Sequence, residues 1–400
     1  MSNDIVKKPY FDFMKRSRFF QYIATGTVGT FALPKEAFAA FKANGSASEK
    51  FYIGSYTDNA EQGISTGNLD PTNGDIKSID VCKNVQNPSF LIFGHQRKFL
   101  YSVNETDNFE GKKSGSVSAF KIDENSGRLN LLNSQPSLGA NPCHITTDRS
   151  GKFILVANYT GGNVAVLPVS ADGKLGAPVD MVQHSGKGPN LSRQETAHAH
   201  SSNFSPDNRF VFVCDLGMDK IMVYRFNEKT GKLTPADHRF FATAPGAGPR
   251  HLTFTKEGDK AFVVNELNST LTYLRYDAAN GILTELQTIS TLPVDFTGDN
   301  TCADVHIHPN GLFVYASNRG HDSIAVFSIN SSSGKIKLIQ NQPIKGKTPR
   351  NFAIHSSGRF LIAANQNSNS ITVFSINPDS GRLSDTGKSI QVNKPVCILL

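Results

Sequence analysis

Cysteine is scarce in these 400 residues: five occur, Cys82, Cys143, Cys214, Cys302 and Cys397, each standing alone. With no CxxC pair, zinc-type ligand spacing is absent. Cys143, Cys302 and Cys397 lie in strand-like runs, where a single thiol acts as a small buried hydrophobe. No block of Lys and Arg is interleaved with aromatics, so a nucleic-acid surface is not expected. The net charge of +7 does not alter this, because residues 1–50 carry eight Lys/Arg against four Asp/Glu and so supply +4 of it. No stretch is long and apolar enough to span a membrane in the mature chain. Neither a strand–turn–helix nucleophile elbow nor a P-loop is read from the sequence.

The first fifty residues differ from the rest. Lys15-Arg16-Ser17-Arg18 precedes a run, 19–34, without charge, and Ala37-Phe38-Ala39 then offers a small-residue cleavage site. Basic, apolar and small-residue segments in that order form an export pattern. Residues 1–39 are therefore read as an export signal and 40–50 as a linker. The mature chain is expected in the periplasm or outside the cell, and in the cytoplasm if this segment is retained.

From Phe51 onward one unit recurs. A strand pattern that opens aromatic or apolar and closes small and polar appears seven times, as in Phe99–Glu105, Phe153–Tyr159 and Ala261–Leu267. Another strand precedes six of these, opened by Pro88, Pro142, Ala199, Pro249, Ala303 and Pro349, and the last such opener, Pro395, begins the C-terminal run. A third strand follows each, then in most units an Asn/Asp-x-x-x-Gly-x-Leu/Ile turn such as Asn125–Leu129, then a weaker polar strand suited to an outer edge. Four short strands repeating about every 50 residues predict a β-propeller. The count predicts an all-β, seven-bladed propeller of four-stranded antiparallel blades over 51–400. Its ring should be closed by the C-terminal strand pairing with the N-terminal ones.

Several motifs stand out: Ile53-Gly54-Ser55-Tyr56-Thr57, Ala157-Asn158-Tyr159, Arg193-Gln194, His198-Ala199-His200-Ser201, Asp215-Leu216-Gly217, Gly248-Pro249-Arg250-His251, Asn265-Glu266 and Ser317-Asn318-Arg319-Gly320-His321. Through them the chain resembles the lactonase family of seven-bladed propellers. That resemblance implies lactone chemistry and points to His198, His200, Arg250, Glu266 and Arg319. The family is also related to a fungal carboxymuconate cyclase, which forms a lactone, so the resemblance leaves the direction of reaction open.

The residues themselves suit that chemistry. Arg250 at the start of one strand and Glu266 at the end of its antiparallel partner should meet at one rim of the sheet. Equivalent ends in all blades converge on one mouth of the channel. Opening a lactone needs a base for water and donors for the developing oxyanion. Glu266 or His200 is expected as base, with Arg250 and Arg319 as anion and oxyanion clamps. Tyr159, Gln194, Asp215 and Asp304 are expected to contact substrate. His198 and His200, two apart, should share a strand face, but a metal site would need further ligands, and neither metal nor cofactor is expected. The expected partner is a small lactone, 6-phosphogluconolactone or a related aldonolactone, bound by a monomer. A non-catalytic propeller binding protein or glycan, and a lactone-forming cyclase, are the alternative readings.

Overall fold

The computed structural model describes residues 48–330 and 334–400. The expected export segment and most of the linker lie outside them. The first strand, Glu49–Ser55, starts two residues ahead of the expected Phe51.

Seven four-stranded antiparallel sheets form the ring. Blade 1 combines Glu49–Ser55, Gly63–Leu69 and Ile76–Lys83 with the C-terminal strand Pro395–Leu399. Blades 2 to 7 cover 91–136, 142–183, 199–242, 249–290, 301–343 and 349–391 in order. The C-terminal strand is the innermost of blade 1, with Ile53 opposite Ile398 and Gly54 opposite Cys397. The expected closure is therefore present, and the inner edge of that blade is covered. Blade 2 departs from the repeat: its innermost strand is only Leu91–Phe93, so Pro88 precedes the strand. The segment Gly63-Ile64-Ser65-Thr66-Gly67 has the spacing of a nucleophile elbow but lies within a continuous strand, with Ser65 paired to Ile53 and Val81. It makes no sharp turn toward a helix.

The core is divided into layers between neighbouring blades. Phe51 and Ile53 pack with Phe360 and Ile362 between blades 1 and 7, and Phe212 and Cys214 with Ala261 and Val263 between blades 4 and 5. A recurring contact locks these layers. The aromatic opening the second strand of one blade lies beneath the turn glycine of the next: Phe99 under Gly173, Phe153 under Gly231, Phe210 under Gly281, Phe313 under Gly381, and Phe360 under Gly74. Each of these glycines has positive φ, and a Cβ on Gly281 would come within 2.6 Å of the Phe210 ring. The two sequence signatures of the repeat, opening aromatic and closing glycine, are thus the two halves of one contact.

A comparison of two glycines tests this. Gly311 shares the positive φ, but its Cβ would meet nothing within 4 Å. Gly311→Ala should cost about 1–2 kcal/mol from backbone strain alone. Gly281→Ala should cost roughly 1–3 kcal/mol more, because the Phe210 contact must open. Urea denaturation of the two variants measures the difference, and equal losses would remove the turn–aromatic contact from the account.

Candidate active site

What faces the mouth is set by a one-residue bulge. The innermost strands of blades 3, 4, 5, 7 and 1 each carry one unpaired residue directly after their opening Pro or Ala: Cys143, His200, Arg250, Arg350 and Val396. In blade 6 the irregularity takes in Ala303 and Asp304. A bulge re-aims the side chain it carries. The residues just past the second strand form a facing set, Tyr56, Glu105, Tyr159, Glu266 and, at the strand end, Arg319. The backbone N–H groups of Tyr56, Tyr159 and Glu266 donate to carbonyls immediately ahead of the innermost strand, and that of Glu105 to Asn87 just before Pro88, which fixes both sets at one end of the channel.

Glu266 is the centre of the site. Its carboxylate is buried and accepts from Arg250 Nε at 2.9 Å and Arg193 Nη2 at 2.5 Å, with Arg319 Nη2 at 3.1 Å. Burial alone would raise its pKa, but Arg319, Arg250 and Arg193 outweigh burial and hold it at about 2. Arg250, 2% exposed, also donates to the Ala303 carbonyl. Burial, with Arg319 and Arg350 nearby, brings its pKa down to about 10, so it stays charged at neutral pH. Arg319 Nη2 donates to the Cys302 carbonyl, while its buried Nε has no hydrogen-bond partner.

Two histidines touch this cluster. His251 has both ring nitrogens engaged, Nδ1 at 2.7 Å from Asp304 and Nε2 at 3.2 Å from Arg250. Burial and Arg250 lower its pKa to about 4. His200 Nε2 lies 3.9 Å from Glu266 and has no hydrogen-bond partner among the described residues. Burial, then Arg250, His251 and Arg350, push its pKa well below 6.5, so its ring is neutral. Tyr159 stands edge-on to His200 and stacks flat on His198 at 4.4 Å.

The structure brings together His200, Arg250, Glu266, Arg319 and Tyr159 from the expected set. His198 lies before the strand Ala199–Phe204, and the bulge at His200 breaks the simple i,i+2 alternation. Its nitrogens sit against the Tyr159 carbonyl and Glu195. Asp304 is buried and committed to His251, His306 and Asn351. It positions His251 and has no oxygen left for a substrate.

Gln194 and Asp215 spend their polar atoms elsewhere in the fold. Gln194 is fully buried and binds the Leu216 carbonyl, Asp219 and the Asn190 N–H, so it braces its own loop. Asp215 falls one residue before the mouth position, in the slot of Asn104, Asn158 and Asn265, and successive strand residues face opposite ways. Its oxygens take His184 and the His198 and Met218 N–H groups.

Three further mouth residues have no role assigned from sequence, Tyr56 appearing only within a motif, although their signals are plain. Thr348-Pro349-Arg350 repeats the frame of Gly248-Pro249-Arg250, Asn104-Glu105 repeats Asn265-Glu266, and Tyr56 holds the place of Tyr159. Tyr56 OH donates to Glu105 at 3.0 Å, and Arg350 lies over the Tyr56 ring. Arg193 was noted only within a motif, because its long loop lies outside the strand repeat.

The depressed pKa of Glu266 carries a stability signature. A carboxyl that falls from 4.5 to about 2 on folding contributes stability in full above pH 4.5 and loses it as pH falls toward about 2. The gap in unfolding free energy between wild type and Glu266→Gln should therefore be widest near neutrality and shrink on acidification. Urea titrations at stepped pH measure it; a gap independent of pH would show that the three guanidiniums do not hold this carboxylate.

Comparison with known proteins agrees with the fold. The family model described as "Lactonase, 7-bladed beta-propeller" matches residues 50–400. The chain is 37% identical over 347 residues to a Bacillus subtilis protein named 6-phosphogluconolactonase, covering 87% of this chain and 97% of that one. It is 38% identical to a Formosa agariphila protein of the same name, over 76% of this chain and 85% of that one. Among solved structures, a Bacteroides fragilis protein described as a putative 6-phosphogluconolactonase superposes with a TM-score of 0.82 at 35% identity, covering 89% of this chain and 98% of its own. A Pseudomonas aeruginosa periplasmic gluconolactonase gives 0.82 at 33%, covering 88% and 98%. The chain belongs to the lactonase family of seven-bladed β-propellers.

Proposed function

We propose that this protein hydrolyses an aldonolactone, of the kind its relatives' names describe, to the open-chain acid. One observation carries the reading: a neutral His200 with a free Nε2 faces a buried carboxylate that gathers three guanidiniums at one mouth. Glu266 has its oxygens committed to three guanidiniums, so it is not free to take a proton from water. His200 takes that role. Its Nε2 accepts a proton from water as the water oxygen bonds to the lactone carbonyl carbon, and Glu266 stabilises the imidazolium formed. Arg319 and Arg193 donate to the developing oxyanion. Collapse breaks the ring C–O bond, and His200 returns its proton to the leaving alkoxide. Arg250 keeps Glu266 and His251 in place.

Export of the mature chain is part of the same proposal. It is supported by the basic-then-apolar order of residues 15–34 and by the periplasmic description of the Pseudomonas neighbour.

Lactone hydrolysis above the spontaneous rate tests the reading. His200→Gln should lower kcat about 10²–10⁴-fold, and Arg319→Ala about 10²–10³-fold. Only the neutral form of His200 is active, and its pKa lies well below 6.5. The kcat/KM profile should stay level through neutrality and fall only below pH 6.5, with that acid limb absent in His200→Gln. An acid limb at or above 6.5, or full activity in His200→Gln, contradicts the assignment.

A further inference from the structure

Four arginines reach the mouth, and three are spoken for by Glu266. Arg350 is the fourth. It is half-buried, carried on the bulge of blade 7, and it makes no ion pair or side-chain hydrogen bond with any described residue. It lies over the face of the Tyr56 ring, 5.5 Å from guanidinium carbon to centroid. Tyr56 is fixed in turn by its hydroxyl, which donates to both oxygens of Glu105. The guanidinium thus lies over this ring while its N–H donors have no acceptor among the described residues. A guanidinium positioned this way can offer two parallel hydrogen bonds to a planar or tetrahedral oxyanion.

The surroundings favour an anion there. Arg193, Arg250, Arg319 and Arg350 stand against three carboxylates, Glu105, Glu266 and Asp304, and the nearby His200 is neutral. The mouth therefore keeps a positive excess after its internal pairs are counted. Burial disfavours the Arg350 charge, yet Tyr56 and Glu105 more than offset it and its pKa is raised. A structural arginine at this depth would normally spend its donors on carbonyls, as Arg250 and Arg319 do.

We infer that Arg350, seated on Tyr56, is an oxyanion subsite that takes a phosphate or carboxylate borne by the lactone at a distance from its reacting carbonyl. This rests on the lactonase reading and narrows it: the preferred substrate is an anionic aldonolactone, and a neutral sugar lactone is a poorer one. The chemistry is the same whether the anion is a phosphate ester or a second carboxylate, as in an aldarate lactone.

The test compares 6-phosphoglucono-δ-lactone, glucaro-1,4-lactone and glucono-δ-lactone as substrates of the mature chain. Wild type should prefer one of the two anionic lactones by kcat/KM, and which of them it is identifies the anion. Arg350→Gln should reduce that preference about 10- to 100-fold, the range of a lost charge-assisted hydrogen bond, chiefly through KM. Arg350→Lys should restore part of it, and Tyr56→Leu should weaken it with the arginine still present. Inorganic phosphate, titrated by calorimetry, should bind wild type and not Arg350→Gln, with thermal melting as the check that the variant is folded. Preference for the neutral lactone in wild type, or an equal fall on all three substrates in Arg350→Gln, would overturn the subsite. If wild type opens none of the three lactones, the lactonase reading falls and the phosphate titration judges the subsite alone: binding lost in Arg350→Gln upholds it, while absent or unchanged binding refutes it.

Discussion

A single extra residue near the start of the innermost strand decides what this propeller can do. In a regular antiparallel pair, the side chain after Pro249 would alternate with its neighbours and pack between blades. The bulge takes that residue out of register and turns it to the mouth. Because the device recurs in six blades, the ring places Cys143, His200, Arg250, Asp304, Arg350 and Val396 at equivalent heights around one axis. The rest of the blade holds this arrangement rigid. Ring closure by Pro395–Leu399 fixes the circumference, and the aromatic–glycine contacts fix the angle between neighbours.

Rigidity matters because the site concentrates like charge. Arg250 and Arg319 are both buried deeply enough that desolvation lowers their pKa values. Isolated, each would be costly to bury. Glu266 offsets that cost for Arg193, Arg250 and Arg319 together, and so is a structural and an electrostatic centre at once. The Glu266 carboxylate is committed to three guanidiniums. Burial first, then Arg250, His251 and Arg350, keeps His200 neutral beside it.

Much of the fold was legible in the sequence, since its repeat is written in residues that make the inter-blade contact: Phe153 and Gly231, or Phe210 and Gly281. Blade count and ring closure follow from that spacing. The pairing of Arg250 with Glu266 was legible too, because opposite ends of an antiparallel pair must meet. The site was only partly readable. Asp215 looked equivalent to Glu266, but it belongs one residue earlier, and a shift of one reverses the face of a strand. Arg350 and Glu105 repeat the local frame of Arg250 and Glu266, but that frame recurs in blades with neutral residues too and does not by itself mark a mouth position. His200 was expected as a candidate base, but its different setting from His198 could not be read from their i,i+2 spacing, since the bulge appears only in the paired register.

The most direct test of the account is a crystal structure of the mature chain with an aldonate product bound. The account predicts the product's carboxylate at the mouth, within hydrogen-bond distance of Arg319 or Arg193 and beside His200 Nε2. An aldonate bound at the opposite end of the channel, or on the outer strands with this mouth empty, would contradict it.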